Sequence, residues 1–258
     1  YLHFNNFVHG KCTFEEIDID LCNKFREYLL NVKKLRRNGR ISQNSASGYW
    51  STFRGFLKIL YRNGLIKTNV NDFLDKIGTE DVVKDYLSVE ELYKLAETPC
   101  KKPILKTASL FSCMTSLRIS DILALRWEDI VDYSAGGKCV HIITQKNKAE
   151  DIIPISDEAL ELIGYKPEKK GLVFKGLMRC WTQTPMKEWI HSAGINKNIT
   201  FHSYRRTFAT LQAAAGTDIR TIQSIMAHKS ITTTQRYMKV VDSNKRKASN
   251  KISLIRKD

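Results

Sequence analysis

The sequence from Phe201 to Val240 reads FHSYRRTFATLQAAAGTDIRTIQSIMAHKSITTTQRYMKV. This stretch carries four side chains that suit phosphate chemistry, namely His202, Arg205, His228 and Tyr237. His202 and Arg205 are three positions apart, so on a helix they share one face. Guanidinium groups hold phosphate oxygens, imidazoles move protons and a phenol can attack phosphorus. The stretch therefore predicts a phosphoryl-transfer site.

Glycine and capping residues divide this stretch into three predicted helices. Gly216 ends the first helix, and Asp218 and Ser230 are suited to cap the second and the third. The predicted helices are His202–Ala215, Ile219–Ala227 and Ile231–Val240. Each functional side chain alone has a more common structural explanation, because single helical histidines and tyrosines usually pack or cap. Their ordered combination is what favours chemistry.

The overall charge favours a polyanionic partner. The chain has 258 residues, enough for one large or two modest domains, and a formal net charge of +15. Such an excess costs self-repulsion and is typical of proteins that bind nucleic acid, although lysines kept for solubility are the alternative. No stretch approaches the roughly 18 apolar residues of a membrane span, and no signal sequence opens the chain. We expect a cytoplasmic, nucleoid-associated protein, and the start at Tyr1 predicts a fragment of a longer chain.

Cysteine and carboxylate patterns give no sign of a metal site or a disulfide framework. The six cysteines are scattered and form no C-x-x-C pair, which favours buried thiols in a reducing compartment. The carboxylates are also dispersed and no H-E-x-x-H motif occurs, which argues against a metal-dependent nuclease. We therefore expect no metal ligands and no cofactor.

The hydrophobic pattern predicts two domains. Residues 1–80 have apolar side chains at spacings of three and four, which is typical of amphipathic helices. The polar segment 81–85 is the predicted linker, and residues 86–258 form a second domain that ends in a basic tail. Three helices are predicted in the first domain. The first starts at Asp20 and ends at Asn38-Gly39, the second runs from Ser42 to Asn63, and the third spans Asn71–Ile77.

One face of the predicted 42–63 helix carries small polar and basic side chains. Residues of this kind contact the phosphate backbone of DNA, although a solvated helix face has the same composition. The candidates for DNA contact on this face are Gln43, Asn44, Ser47, Arg54 and Lys58.

The second domain is predicted to be mainly helical. Ser88 and Glu91 form a capping box at the start of one helix. Arg118 falls in the turn that follows the predicted helix Pro103–Thr115, or in the first turn of the helix after it, for which Ser120 is a candidate cap. Further helices are predicted at Pro103–Thr115, Asp157–Ile163 and Trp181–Ala193.

The same domain contains one predicted sheet. Val140–Thr144 and Ile152–Ile155 are β-rich runs that flank a polar turn with two lysines, Lys146 and Lys148. Together with a first strand near Trp127–Val131 they make a small three-stranded antiparallel sheet. The fold class is therefore mainly α, with an α+β second domain.

These motifs, taken in order, resemble the catalytic domain of the tyrosine recombinases, or phage-type integrases. That family has an arginine in a G-L-R-x-S-E-type turn, a hairpin lysine, H-x-x-R, a later histidine and a tyrosine about nine residues beyond it. The matching residues are Arg118 in SLRISD, Lys146, His202 and Arg205 in HSYR, His228 and Tyr237. The resemblance covers the chain from about Tyr86 and extends more weakly over the N-terminal helices, which are similar to the family's core-binding domain.

The resemblance implies a role for each matched residue. Tyr237 attacks phosphorus and forms a 3′-phosphotyrosine, while Arg118, Arg205 and His228 hold the non-bridging oxygens. Lys146 protonates the leaving 5′-oxygen, with Lys148 on the same turn as the alternative, and His202 assists proton transfer at Tyr237. The covalent link conserves bond energy, so neither ATP nor a metal is implied.

The family resemblance also implies the partners. These are duplex DNA at attachment-type sites, three further copies of the chain in a homotetramer, and DNA-bending accessory proteins, with Lys148 and Arg206 as further DNA contacts. The sequence departs from the family at Ser116 and Ala227, where glycine is usual, and at Arg206, where histidine is usual. A type IB topoisomerase and a catalytically inactive DNA-binding relative remain as alternatives.

Overall fold

The computed structural model describes residues 2–34, 39–80, 82, 84–143 and 150–238. The chain divides into two compact units, Tyr1–Val83 and Lys84–Asp258. The predicted basic tail and the turn that carries Lys146 and Lys148 lie outside the described residues.

The first unit is a small helical bundle with an aromatic core. Its helices are α1 (Leu2–Phe7), α2 (Ile19–Asn31) and α3 (Gln43–Arg62). Asp18 caps α2 and Ser42 caps α3, because each side chain accepts a backbone hydrogen bond in the first turn. Between α2 and α3, the rings of Phe25, Trp50 and Phe53 have centroids 4.9 to 6.3 Å apart.

Helix α2 is shorter than the sequence pattern predicts. It ends at Asn31, and Val32 is already in an extended conformation, with ψ at 145°. Lys33 then forms an isolated antiparallel bridge with Arg40. The apolar spacing therefore predicted where this helix starts but not where it ends, because Lys33 pairs with Arg40 instead of continuing the helix.

The predicted helix Asn71–Ile77 is wrong. Only a short 3-10 turn forms, Val70–Phe73, and residues 74–80 contain no helix. Side chains of α3 donate hydrogen bonds to backbone carbonyl groups along this segment, so those groups cannot complete a helix. We refer to residues 71–80 and the α3 side chains that hold them as the α3 clasp.

The second unit contains the remaining helices and the sheet. Its helices are α4 (Val89–Glu97), α5 (Pro103–Thr115), α6 (Ile119–Ala124), α7 (Asp157–Leu162), α8 (Thr184–Ser192), α9 (Phe201–Ala215), α10 (Ile219–Ile225) and α11 (Ile231–Met238). The predicted capping box at Ser88 and Glu91 is confirmed.

The sheet is antiparallel, in the order β1-β2-β3. Its strands are β1 (Ile130–Asp132), β2 (Lys138–Ile143) and β3 (Glu150–Ile155). Val140 pairs with both Ile130 and Ile153, and these three side chains are buried. The first strand starts later than predicted, because the Asp129 carboxylate accepts a hydrogen bond from the Arg126 backbone and closes a 3-10 turn there.

Helices α5 and α9 pack against each other in the middle of the second unit. Phe111 on α5 and Tyr204 on α9 are fully buried in its main core. A second, smaller cluster joins α9, α10 and α11 through Phe208, Ile222 and Tyr237. The predicted fold class, mainly helical with a small three-stranded antiparallel sheet, is confirmed.

Candidate active site

The C-terminal turn of α5 places the first arginine. Ser116 ends this helix in the left-handed conformation, with φ at 61° and ψ at 5°, and is fully buried. Glycine adopts this conformation at little cost, which gives a physical reason for the family's glycine here. Ser116 donates from its hydroxyl to the carbonyl oxygen of Ile225 at 3.2 Å, which joins the ends of α5 and α10.

Arg118 is the N-cap of α6. Ser120, the candidate cap in the sequence, lies inside the first turn of this helix instead. Its backbone N–H donates to Oδ2 of Asp121 at 3.2 Å, which closes the first turn. The guanidinium Nη1 lies 3.8 Å from the same Oδ2, and the side chain is only 15% exposed. Nη1 is buried and has no hydrogen-bond partner in the described part of the chain. Arg118 therefore keeps a donor for an anion.

Arg205, on the buried face of α9, connects two other segments. Its residue exposure is 2%. Nη1 donates to the carbonyl oxygen of Ser116 at 2.8 Å, and Nη2 donates to the carbonyl oxygen of Met226. Burial, and after it the positive charge of Arg118, lowers the pKa of Arg205 to about 10, so the guanidinium is still charged at neutral pH.

His228 and Tyr237 meet after the end of α10. Ala227 has a left-handed backbone, with φ at 46°, which turns the chain directly before His228. Nδ1 of His228 is hydrogen-bonded to Oγ1 of the buried Thr234 at 2.9 Å. The rings of His228 and Tyr237 are stacked, with centroids 6.2 Å apart and an angle of 15° between their planes. Tyr237 is buried, with 9% exposure, and faces the α9–α10 cluster.

His202 lies in the first turn of α9 and keeps contact with solvent. Even so, partial burial and the nearby charges of Arg206, Arg205, Lys84 and Arg118 lower its pKa to about 4. An imidazole with such a pKa is neutral at pH 7 and can accept a proton.

Four of the predicted catalytic residues are therefore tied together through α5, α9, α10 and α11. Arg205 bonds to the turn before Arg118 and to the turn before His228, and His228 stacks on Tyr237. His202 interacts with this group through charge. Lys146 and its alternative Lys148 lie outside the described residues.

Two carboxylates near the arginines were given no role in the sequence prediction. Asp121 is 3% exposed and faces Arg118. Asp151 is on β3, and both arginines attract its carboxylate. The signal for Asp151 was an acidic residue two positions before Ile153 and four before Ile155, which places it on the inward face of a half-buried strand.

The predicted DNA contacts on α3 are engaged within the first unit. Gln43 donates to the carbonyl oxygen of Gly78 at 3.2 Å, and Ser47 donates to that of Ile77 at 2.8 Å. Asn44 makes two hydrogen bonds with the backbone of Glu80, at 2.8 and 2.9 Å. Arg54 donates to the side chain and the carbonyl oxygen of Asn71, both at 3.0 Å. These contacts form the α3 clasp, and a role of the same residues in DNA binding stays a prediction.

Lys58 lies beside the α3 clasp. It lines a groove of about 310 Å³ together with Arg54 and Lys76. In the second unit, Arg206 donates from Nη1 to the carbonyl oxygen of Asp85 at 2.6 Å. Their predicted DNA contacts are likewise untested by this geometry.

Two negative observations apply to the described residues alone. Within those ranges, no group of three or more His, Cys, Asp or Glu residues is arranged to hold a metal ion. No helix there is long and apolar enough to cross a membrane.

Comparison with known proteins gives the family. Residues 85–244 match the phage integrase family, and residues 1–76 match the SAM-like domain of phage integrases. The chain belongs to the phage integrase family. This confirms the resemblance drawn from the motifs, and with it the assignment of the chain as an enzyme of the tyrosine recombinase type.

Relatives of this phage integrase family member include several tyrosine recombinases. A tyrosine recombinase of Pseudothermotoga lettingae is 28% identical over 255 residues, which cover 93% of this chain and 87% of the relative. Tyrosine recombinase XerD of Lacticaseibacillus casei is 28% identical over 218 residues, covering 75% of this chain and 71% of the relative.

Solved structures share the fold at lower identity. XerH recombinase bound to its palindromic difH substrate has a TM-score of 0.67 at 17% identity, covering 96% of this chain and 75% of that one. A lambda integrase dimer bound to a COC′ core site has a TM-score of 0.65 at 17% identity, covering 92% and 86%. The Tn1549 transposon integrase with circular intermediate DNA has a TM-score of 0.63 at 19% identity, covering 93% and 87%.

Proposed function

We propose that the protein is a site-specific DNA recombinase that cuts and rejoins DNA strands through a 3′-phosphotyrosine on Tyr237, without a metal or ATP. The observation that carries this proposal is that Arg205 donates to the carbonyl oxygens of Ser116 and Met226, two residues before Arg118 and His228. The ring of His228 in turn stacks on that of Tyr237. In this proposal the nucleophile Tyr237, the donor His228 and two cations share one site, and the base His202 lies close enough to feel the charge of both arginines.

The two arginines would bind the non-bridging oxygens of the scissile phosphate. Arg has five N–H donors, and Arg205 uses two of them on carbonyl groups, so three remain for a ligand. Arg118 adds a buried donor without a hydrogen-bond partner in the described ranges. Charged donors that are already fixed before the reaction stabilise the negative charge that builds on the phosphate in the transition state.

The tyrosine hydroxyl must lose its proton as it attacks phosphorus. His202 is neutral above a pKa of about 4, so its imidazole can accept that proton at physiological pH. His228 is oriented by its hydrogen bond to Thr234 and would donate to the phosphate beside the arginines. Attack by Tyr237 forms the phosphotyrosine bond and breaks the bond to the 5′-oxygen, which leaves as a hydroxyl.

Protonation of the leaving 5′-oxygen needs an acid. Lys146 on the hairpin between β2 and β3 is our candidate, with Lys148 as the alternative. The 5′-hydroxyl of a second strand then attacks the phosphotyrosine, which reverses the chemistry and exchanges the strands.

The partners are part of this proposal. We infer duplex DNA at attachment-type sites, because the net charge is +15 and the XerH and lambda integrase structures contain recombinase bound to DNA. A homotetramer, DNA-bending accessory proteins and a cytoplasmic, nucleoid-associated location belong to the same proposal. The match of residues 1–76 to an integrase SAM-like domain favours a recombinase over a topoisomerase or an inactive relative.

The nucleophile can be tested directly. A DNA site is first selected from random sequence and then nicked, so that the released fragment cannot religate. Tyr237→Phe is expected to give no covalent protein–DNA adduct on this substrate and to bind it as tightly as the unchanged protein. Tyr93→Phe is the matched control, because Tyr93 is 67% exposed and should form the adduct normally. An adduct on Tyr237→Phe contradicts the assignment, and supercoil relaxation without site preference favours the topoisomerase.

A further inference from the structure

Asp151 lies near the arginine pair and has no role in the proposed reaction. On β3, Ile153 and Ile155 are buried while Ile152 is 55% exposed, so Asp151 is on the inward face. Its Oδ2 is buried and has no hydrogen-bond partner in the described ranges. A carboxylate in that position is costly unless a positive charge compensates it.

The packing of β3 explains how this carboxylate reaches the arginines. The strand packs against α5 and α10. The C-terminal turns of these two helices supply the carbonyl groups of Ser116 and Met226 that hold Arg205. Asp151 is therefore on the strand that packs against both helices whose C-terminal ends hold Arg205.

The charged groups to consider are those that act on Asp151 and those on the elements that pack against β3. Arg118 and Arg205 attract it, and Asp121 repels it. On α10, Arg220 is exposed, and on α5, Lys106 donates to the carbonyl oxygen of Thr98. From β2, its pairing partner is the uncharged Ile142. The hairpin lysines, Lys146 and Lys148, lie outside the described residues.

We propose that Asp151 is the internal counter-ion of the arginine pair, a positioning residue that holds Arg118 and Arg205 together until a phosphate takes over this task. Two guanidinium groups repel each other at close range, and two carboxylates, Asp121 and Asp151, balance them in the absence of DNA. Asp121 is also bonded to the backbone of α6, whereas Oδ2 of Asp151 is bonded to nothing in the described chain. Asp151 is thus the carboxylate that can be protonated at Oδ2 without the loss of a hydrogen bond.

Phosphate entry changes the charge balance. Burial already raises the pKa of Asp151, and a second anion beside it raises that pKa further because like charges disfavour ionisation. Asp151 then takes up a proton from solvent as the anion binds. Anion affinity therefore increases as the pH falls towards the pKa of Asp151. That the anion is a DNA phosphate rests on the proposed function, whereas the anion site itself does not.

Sulfate is a suitable probe, because it does not change its own charge between pH 5.5 and 8. Binding is measured by calorimetry in pairs of buffers with different ionisation enthalpies, which gives the number of protons taken up. Asp151→Asn is expected to bind sulfate about tenfold more tightly at pH 7.5, the effect of roughly one pKa unit of charge interaction. It should also lose most of the proton uptake, and any uptake that remains comes from groups that both proteins share.

Two controls locate the effect. Asp132→Asn removes an exposed carboxylate of the same sheet, which pairs with Lys138 at 2.7 Å, and should leave sulfate binding unchanged. Arg118→Ala should lose sulfate binding, which shows that the ion occupies the arginine pair. Equal sulfate affinity and equal proton uptake in Asp151→Asn and the unchanged protein overturn the proposal.

The remaining outcomes also decide the matter. Weaker sulfate binding by Asp151→Asn, or no sulfate binding by any protein, overturns the proposal. Unchanged sulfate binding with slower DNA cleavage also overturns the proposal, because Asp151 would then affect cleavage without affecting the anion. If Asp151→Asn does not fold, the unchanged protein alone still provides a test, because it must take up a proton when sulfate binds. Failure of the Tyr237 adduct test leaves all these sulfate results intact, so the two proposals fail separately.

Discussion

The polar face of α3 and the arginine cluster of the second unit contain similar residues but use them differently. On α3, Gln43, Ser47 and Arg54 donate hydrogen bonds to backbone carbonyl groups of their own unit. In the arginine cluster, which consists of Arg118 and Arg205, Arg118 keeps a buried donor with no hydrogen-bond partner in the described ranges. Residue type and spacing predict that a face is polar. Whether its donors remain free for a ligand depends on the backbone that packs beside it.

The side-chain contacts of Arg54 and Arg205 sharpen this difference. Arg54 makes both of its hydrogen bonds to one residue, Asn71, and so fixes one segment. Arg205 bonds to Ser116 and Met226, which belong to the ends of different helices and are each two residues before a candidate catalytic side chain. The first arrangement fixes one segment of a fold, whereas the second joins the two turns that lead into the candidate site.

Arg205→Ala is expected to have the largest effect. It leaves two buried carbonyl groups without a donor, which should lower the free energy of unfolding by roughly 2–3 kcal/mol. It also removes a fixed charge from the transition state, so single-turnover cleavage of the nicked substrate should slow by about 100-fold or more. Denaturant unfolding and adduct formation over time measure the two effects.

Arg206→Ala is the matched control for Arg205→Ala. Arg206 is the next residue on α9 and donates to the carbonyl oxygen of Asp85 instead of the site turns. It should cost less cleavage rate than Arg205→Ala. Equal losses of cleavage rate in the two variants would mean that helix α9 as a whole holds the arginine cluster. Arg205 would then have no special part in the site, and its contrast with Arg54 would disappear.

Arg54→Ala and Lys58→Ala, compared with each other, should have intermediate effects. Removing Arg54 opens the α3 clasp at Asn71 and should lower the unfolding free energy by about 1–2 kcal/mol, without changing the salt dependence of DNA binding. Removing Lys58 should leave stability unchanged and reduce the slope of log affinity against log salt by about 1. Fluorescence anisotropy over a salt series measures that slope. If Arg54→Ala reduces it as much as Lys58→Ala does, the α3 face binds DNA with its clasped donors.

Ala227→Gly is expected to have the smallest effect, and a favourable one. The left-handed backbone of Ala227, with φ at 46°, costs a non-glycine residue roughly 1–2 kcal/mol, part of which is offset because glycine is more flexible when unfolded. The variant should be more stable by about 0.5–1 kcal/mol in thermal unfolding and should cleave at a similar rate. Ala215→Gly, in the last turn of α9, should destabilise instead. A less stable Ala227→Gly contradicts the idea that the turn before His228 is strained.

Local signals predicted much of the second unit, and the reasons are physical. Helix α5 has the predicted bounds, Pro103–Thr115, because proline at its start and a left-handed turn at its end are sequence-local events. The capping box at Ser88 likewise depends on a residue only three positions away. The extended segment after Phe73 escaped prediction, because α3 side chains about 17 to 36 positions earlier in the chain decide it. Asp151 was missed for the same reason, since its partners lie on other elements.

The α3 clasp has a consequence for engineering the chain. Residues 71–80 are fixed by donors along α3, including Nε1 of Trp50 to the carbonyl oxygen of Asp75 at 2.8 Å, and by the buried side chains of Leu74 and Ile77. Extra residues introduced there would shift every later carbonyl group away from its donor on α3, so several hydrogen bonds would be lost at once. Val82 is 58% exposed and lies beyond the last clasped residue, Glu80. A fluorescent tag or a spacer should therefore be inserted at Val82, where no clasp contact is broken.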